Sequence, residues 1–76
     1  YMPNTIGQRI KEARLALGLS QRGLAEIALG GKKNARLVFN WESDKVTPSI
    51  QSLRKIAPHL NCSVAELIGE SHLSAA

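Results

Sequence analysis

Helix start and stop signals divide this 76-residue chain into five short segments. Each segment has a Ser, Thr or Asn in front of it, and the side-chain oxygen of such a residue caps the free N–H groups of a helix N-terminus. The candidate caps are Thr5, Ser20, Asn34, Ser49 and Ser63. Helices this short are marginal in isolation and persist only by packing together. The spacing therefore predicts an all-α fold, a compact five-helix bundle.

Apolar residues recur every three or four positions within the segments, which is the spacing of one helix face. The first stripe consists of Ile6, Ile10, Ala13 and Leu17, the second of Leu24, Ile27 and Ala28, and the fourth of Ile50, Leu53, Ile56, Ala57 and Leu60. Gly18 and Gly69 are suited to end the first and last helices, and Pro58 is expected to stop or kink the fourth near Ala57. No stretch alternates for long enough with the period of two that a strand requires.

The composition argues against catalysis, metal binding and a disulfide. Cys62 is the single cysteine, which excludes an intramolecular disulfide and a multi-cysteine zinc site. His59 lies three residues before it, but Asn61 and Ser63 predict a helix break between the two side chains. Nucleophile elbows and phosphate-binding loops have characteristic spacings that the sequence lacks. We therefore predict that the chain is not an enzyme and needs no metal or cofactor.

The domain organisation is expected to be simple. No apolar run approaches the roughly 20 residues that a bilayer-spanning helix needs, and no signal peptide is visible. These features predict a soluble, cytoplasmic protein without membrane contact. Residues 1–4 are expected to be a disordered or tag-derived N-terminus, residues 5–69 one domain, and residues 70–76 a tail or the start of a linker. The alternative that the chain is a fragment of a longer protein stays open.

Positive charge is concentrated in the first half of the chain. The net charge is +4, with +5 on residues 1–36 and −1 on residues 37–76. A polarised basic domain is typical of proteins that bind a polyanion such as nucleic acid. The alternative is a basic surface that serves solubility alone.

The segment 19–48 contains two short predicted helices joined by a glycine turn, with basic residues where the second begins. This is the plan of a helix-turn-helix, whose second helix enters the major groove of DNA. The residues of the second helix expected to face the core are Val38 and Trp41, and those expected to lie away from it are Ala35, Arg36 and Asn40. Arg36 is suited to bond a guanine edge and Asn40 an adenine edge. The alternative for this face is an ordinary solvated helix surface.

An ordered set of short motifs spans nearly the whole chain. The motifs are residues 6–10 (IGQRI), 15–21 (LALGLSQ), 24–26 (LAE), Trp41-Glu42, Pro48-Ser49, Leu53, 55–57 (KIA), 60–63 (LNCS) and Leu67-Ile68. In this order the chain resembles the phage lambda repressor and Cro-like helix-turn-helix family over about residues 5–69. The resemblance implies a lambda repressor-like fold, sequence-specific binding of double-stranded DNA and transcriptional regulation, most simply repression. It also implies a homodimer on a two-fold related operator and a bacterial or phage-encoded, nucleoid-associated protein.

The resemblance and the basic turn together single out individual residues. The candidate DNA-binding residues are Gln21, Arg22, Lys32, Lys33, Asn34, Ala35, Arg36, Asn40 and Lys45. The resemblance implies that Gln21 braces or bonds the DNA backbone and that Lys45 contacts phosphate from the following loop. Arg14 and Glu42 match a pair that forms a salt bridge between the first and third helices in relatives, and Val38 and Trp41 match core positions.

The turn before the third helix departs from the family pattern. Ala25 and Val38 are thirteen positions apart, three more than the family usually has, and the extra residues fall in or near residues 30–33. A longer turn costs little free energy, but it leaves open an alternative register in which Leu37 faces the core instead of Val38. We expect Lys32 and Lys33 to contact phosphate; the alternative is a solvated loop tip.

Three further questions stay open at the level of sequence. Phe39 is suited to pack on the fourth helix, to contact a thymine methyl group or to cover a partner. The alternative functions are an antitoxin-like protein that caps a toxin and represses its own operon, and a protein-interaction module with Leu37 and Phe39 as exposed anchors. The dimer surface is not readable from the sequence; the resemblance implies residues 63–73 or a second domain that this chain lacks.

Overall fold

Five α-helices and two short 3₁₀-helices make up the computed structural model, which describes residues 5–68. The α-helices are α1 (Ile6–Ala16), α2 (Gln21–Ala28), α3 (Ala35–Glu42), α4 (Ile50–Ile56) and α5 (Val64–Ile68), and the 3₁₀-helices are Lys32–Asn34 and Ala57–Leu60. No strand occurs within residues 5–68, so the predicted all-α, five-helix fold is confirmed. The expectations for residues 1–4, for Gly69 and for the tail at 70–76 lie outside the described residues.

Four of the five candidate caps act as predicted. The hydroxyl oxygens of Thr5, Ser20, Ser49 and Ser63 accept hydrogen bonds from the backbone N–H three residues later, at 2.9–3.1 Å. Asn34 is the exception, because it precedes α3 without a side-chain capping bond. Its amide instead donates to the Leu29 carbonyl oxygen at 2.9 Å. The prediction that Asn34 caps α3 is therefore wrong. Its side chain ties the turn to the end of α2.

The helix ends follow the backbone preferences of glycine and proline. Gly18, two residues after the end of α1, adopts a left-handed conformation (φ +72°). This conformation lets the Gly18 and Leu19 amides bond back to the Leu15 and Arg14 carbonyl oxygens at 3.0 and 3.1 Å. Near Pro58 the chain tightens from α4 into the 3₁₀-helix Ala57–Leu60, which confirms the predicted stop.

The core is aliphatic apart from one tryptophan. Its buried members are Ile10, Leu24, Ala25, Val38, Trp41, Leu53, Ile56, Ala57, Leu60 and Leu67, contributed by all five α-helices and the second 3₁₀-helix. Three members of the predicted stripes lie outside it: Leu17, Ile27 and Ile50 are 42%, 50% and 50% exposed. Leu17 is the residue that follows the last turn of α1, and Ile50 is the first residue of α4. No helix among the described residues is long and apolar enough to cross a membrane.

Candidate nucleic-acid interface

The extra residues of the turn form an ordered connection between α2 and α3. Gly30 takes a left-handed conformation (φ +82°) after α2, and the chain then enters the 3₁₀-helix Lys32–Asn34. Two hydrogen bonds fix this connection, from the Asn34 side chain to the Leu29 carbonyl and from the Asn34 backbone N–H to the Gly31 carbonyl at 3.1 Å. The 3₁₀-helix runs directly into α3, so the added length is absorbed before the candidate recognition helix begins.

The register of α3 agrees with the prediction based on Val38. Val38 is fully buried and Trp41 is 3% exposed, whereas Leu37 is 43% exposed. The alternative register with Leu37 in the core is therefore wrong.

The three residues of α3 that were expected to lie away from the core differ in their exposure. Arg36 is exposed and Asn40 half-buried. The expectation that Ala35 lies away from the core is also wrong, because Ala35 packs against it. Ala35 is three positions before Val38 and so shares its side of the helix.

A buried ion pair joins α1, α2 and α3 behind this face. The Arg14 Nε and Nη2 atoms donate to the two carboxylate oxygens of Glu42 at 2.6 and 2.9 Å, and its Nη1 donates to the Leu19 carbonyl at 2.7 Å. The Gln21 side-chain amide donates to the same carboxylate at 3.1 Å. The structure thus contains the Arg14–Glu42 salt bridge that the resemblance implies. Because Glu42 neutralises it, Arg14 adds little positive charge to the surface.

Five exposed basic side chains lie between the start of α2 and the loop after α3. Arg22 lies in the first turn of α2, Lys32 and Lys33 in the turn, Arg36 on α3 and Lys45 in the loop after α3, and all five are exposed. Unlike Arg14, none of them forms a salt bridge with another described residue. Their charges are therefore available to an anionic partner.

Lys11 is a basic residue near this surface that the sequence analysis did not single out. It lines a shallow cleft of about 280 Å³ together with Gln21, Phe39 and Ser43, beside the buried Arg14–Glu42 pair. The signal was present in the sequence, because Lys11 precedes Arg14 by three positions and so lies on the same side of α1. The cleft brings α1, the start of α2 and the end of α3 together.

The end of α3 is fixed by a left-handed residue that is not glycine. Asp44 has φ +63°, and this conformation lets the Asp44 and Lys45 amides bond the Trp41 and Asn40 carbonyl oxygens at 3.1 and 3.0 Å. The Thr5 hydroxyl donates to the Asp44 carboxylate at 3.0 Å. This bond between the start of α1 and the end of α3 supports a conformation that asparagine and aspartate adopt more readily than most residues.

Gly7 allows α1 and the end of α3 to approach closely. A Cβ atom at this position would lie 2.1 Å from the Trp41 carbonyl oxygen and 2.7 Å from an Asp44 carboxylate oxygen. The sequence showed Gly7 only as part of a motif, because a close backbone contact between distant segments leaves no local pattern.

Phe39 is 46% exposed, and the Lys45 ammonium group lies over its ring, 5.4 Å from the ring centre. This distance is within the range of a cation–π interaction. The sequence left three roles open for Phe39, and this pairing with Lys45 is not one of them.

The remaining candidate for chemistry, Cys62, is a half-buried free thiol. Burial raises the pKa of Cys62, and the negative charge of Glu66 raises it further. Its Sγ atom donates to the Leu60 carbonyl at 3.2 Å. Among the residues that the structure describes, no group of three or more His, Cys, Asp or Glu side chains is arranged to hold a metal ion.

Comparison with known proteins agrees with this geometry. A helix-turn-helix family model matches residues 10–67, from the middle of α1 to α5. The match includes all of α2, the turn and α3. No curated protein and no solved structure gives a significant match to the chain.

Proposed function

The chain belongs to the lambda repressor/Cro-like helix-turn-helix family of DNA-binding regulators, and we propose that it is a sequence-specific repressor of transcription. The observation that carries this proposal is the register of α3, in which Val38 and Trp41 are buried and Arg36 is exposed. A helix held in this way presents its outer face to the major groove, which is wide enough to admit it. The proposal includes no catalytic step and no cofactor.

Base recognition is proposed for two side chains of α3. Arg36 donates a pair of hydrogen bonds to a guanine edge, and the Asn40 amide bonds an adenine edge. Asn34 and Ala35 lie where α3 approaches the DNA, with the Asn34 side chain holding the turn through Leu29. These contacts give the protein its sequence preference, because each base pair presents a distinct pattern of donors and acceptors in the major groove.

Phosphate contacts are proposed for the surrounding basic and polar residues. These residues are Lys11, Gln21, Arg22, Lys32, Lys33 and Lys45. Gln21 is the first residue of α2, an eight-residue helix whose N-terminus favours an anion through its free N–H groups and its dipole. Contacts of this kind fix the position of the protein on the duplex and supply much of its affinity, but they carry little sequence information.

The proposed binding unit is a homodimer on a two-fold related operator. Dimers of this class place two recognition helices in successive major grooves, about 34 Å apart. A dimer bound over a promoter blocks RNA polymerase, which is the simplest form of repression. The proposed setting is the nucleoid of a bacterial cell or of a phage-infected cell.

Arg36→Ala is expected to weaken binding to the preferred operator by about 1–3 kcal/mol, which is about 5–150-fold. The loss should be confined to one base pair of each half-site, because Arg36 reads a single guanine. We would measure it by fluorescence anisotropy against duplexes that carry each base at every position of the selected motif. The matched control is Arg54→Ala on α4, which removes the same charge and should keep the wild-type preference. If Arg36→Ala weakens all duplexes equally, Arg36 contacts phosphate and the assignment to a guanine is wrong.

Lys33→Ala is expected to weaken binding to all duplexes alike and to reduce the magnitude of the slope of log K against log salt by about one for each bound subunit. The reason is that one phosphate contact fewer releases one counterion fewer on binding. Lys55→Ala has the same effect on net charge but lies on α4, and its salt slope should equal that of the wild type. Equal slopes for Lys33→Ala and wild type would mean that the turn is simply solvated.

A second candidate function is recognition of a protein partner through α3, as in an antitoxin or an interaction module. The observation that favours it is the exposure of Leu37 and Phe39, at 43% and 46%. Interface residues are enriched in aromatic side chains, and Phe39 is an exposed aromatic residue. The two functions differ in salt dependence, because apolar protein binding persists at high salt whereas phosphate-dominated DNA binding does not.

A further inference from the structure

We propose that Phe39 is a positioning residue for DNA binding, which holds the Lys45 ammonium group ready for a phosphate. The inference rests on the proposed function and adds a residue to it. Phe39 itself makes no contact with the nucleic acid. It acts through Lys45, whose Nζ atom lies 5.4 Å from the centre of the ring.

The backbone of Lys45 is already fixed relative to α3. Its N–H donates to the Asn40 carbonyl at 3.0 Å, and the preceding residue Asp44 is held in the left-handed conformation by the Thr5 hydroxyl. On the other side, the Ser43 hydroxyl donates to the Phe39 carbonyl at 2.8 Å. The Cα atoms of Phe39 and Lys45 therefore belong to one rigid corner of the domain. The remaining freedom of Lys45 is in its long side chain.

A free lysine side chain loses substantial rotamer entropy when it is immobilised at an interface. The Phe39 ring reduces this loss, because the cation–π contact already favours the rotamers that keep the ammonium group over the ring. Phe39 is itself only about half exposed, so its ring offers a surface of defined orientation. Preorganisation of this kind raises affinity without adding a contact to the ligand.

The charge of Lys45 is available for a phosphate. Lys45 forms no salt bridge within residues 5–68, whereas Arg14, which lines the cleft beside Phe39, is neutralised by Glu42. Lys11 lines the same cleft and adds a second positive charge nearby. A phosphate that approaches the end of α3 therefore meets an ammonium group that the aromatic ring attracts without cancelling its charge.

The test is a double-mutant cycle of Phe39→Leu and Lys45→Gln, with affinity for a mixed-sequence duplex measured across a salt series. Lys45→Gln should reduce the magnitude of the salt slope by about one for each bound subunit. Phe39→Leu should weaken binding about two- to tenfold, as expected for the ordering of one flexible side chain. In the Lys45→Gln background, Phe39→Leu should have no further effect. Phe39→Tyr keeps the ring and should bind as wild type does.

The cycle separates this inference from its alternatives. An equal effect of Phe39→Leu in both backgrounds would overturn it and would indicate that Phe39 contacts DNA or supports the fold. An unchanged affinity of Phe39→Leu with Lys45 present would also overturn it. Thermal unfolding of each variant identifies a folding defect, and Ile27→Ala, which removes another exposed apolar side chain, should show no coupling to Lys45. If the wild-type protein binds no duplex, the proposed function itself fails.

Discussion

Replacing Glu42 with alanine is expected to destabilise the domain by about 3–5 kcal/mol, the usual cost of removing one partner of a buried ion pair. Arg14 is 6% exposed and would be left with a buried, uncompensated charge. The carboxylate also accepts the Gln21 amide, so α1, α2 and α3 lose a common contact. The loss is comparable with the total stability of a small domain, about 5 kcal/mol or a little more. We therefore expect a large unfolded fraction at room temperature.

Urea unfolding followed by circular dichroism measures this effect. The control is Glu26→Ala, which removes an exposed carboxylate from α2 and should change stability by less than about 0.5 kcal/mol. The double variant Arg14→Met with Glu42→Leu should recover most of the loss, because an apolar pair of similar volume removes both buried charges. A loss below about 1 kcal/mol for Glu42→Ala is the value of an exposed pair and would contradict the buried geometry.

Gly7→Ala is expected to destabilise the domain at the upper end of about 1–3 kcal/mol, the range for overpacking a tight contact. The added Cβ would lie 2.1 Å from the Trp41 carbonyl oxygen and 3.1 Å from the Glu42 Cα atom. These are backbone atoms, so α1 and the end of α3 must move apart. Helix propensity alone predicts the opposite sign, because alanine stabilises a helix by up to about 1 kcal/mol relative to glycine.

The sign of the change in unfolding free energy on Gly7→Ala therefore shows whether overpacking or helix propensity is the larger effect. Gly23→Ala on α2 is the comparison, because its Cβ would meet only the Ser20 hydroxyl at 3.2 Å and the Leu19 side chain at 3.7 Å. Its cost should be much smaller than that of Gly7→Ala. A stabilised Gly7→Ala protein would mean that α1 does not approach α3 as closely as described.

Local signals predicted most of the fold. A hydroxyl cap depends on residues three positions apart, and a proline or glycine stop depends on one residue. Ser63, Gly18 and Pro58 could therefore be interpreted without tertiary knowledge. The burial of Val38 followed from its spacing to Trp41. The resemblance to a family implied the salt bridge between Arg14 and Glu42, which are 28 positions apart.

The features that the sequence did not reveal depend on contacts between distant segments. Asn34 bonds Leu29 instead of capping α3, because the longer turn brings the end of α2 within reach of its amide. The close approach at Gly7 and the pairing of Phe39 with Lys45 each need the tertiary arrangement at the end of α3. These features determine the local geometry of the candidate site. Its general location was already indicated by the pattern of charge and helices.

The central claim is that the protein binds a specific duplex sequence through α3. The most direct test is selection from a random duplex pool at increasing salt, followed by sequencing of the bound fraction. We expect a motif with two-fold symmetry to be retained at physiological salt, with half-sites about one helical turn apart. Binding confined to low salt, with no enriched motif, is the behaviour of non-specific electrostatic attraction and would contradict the claim.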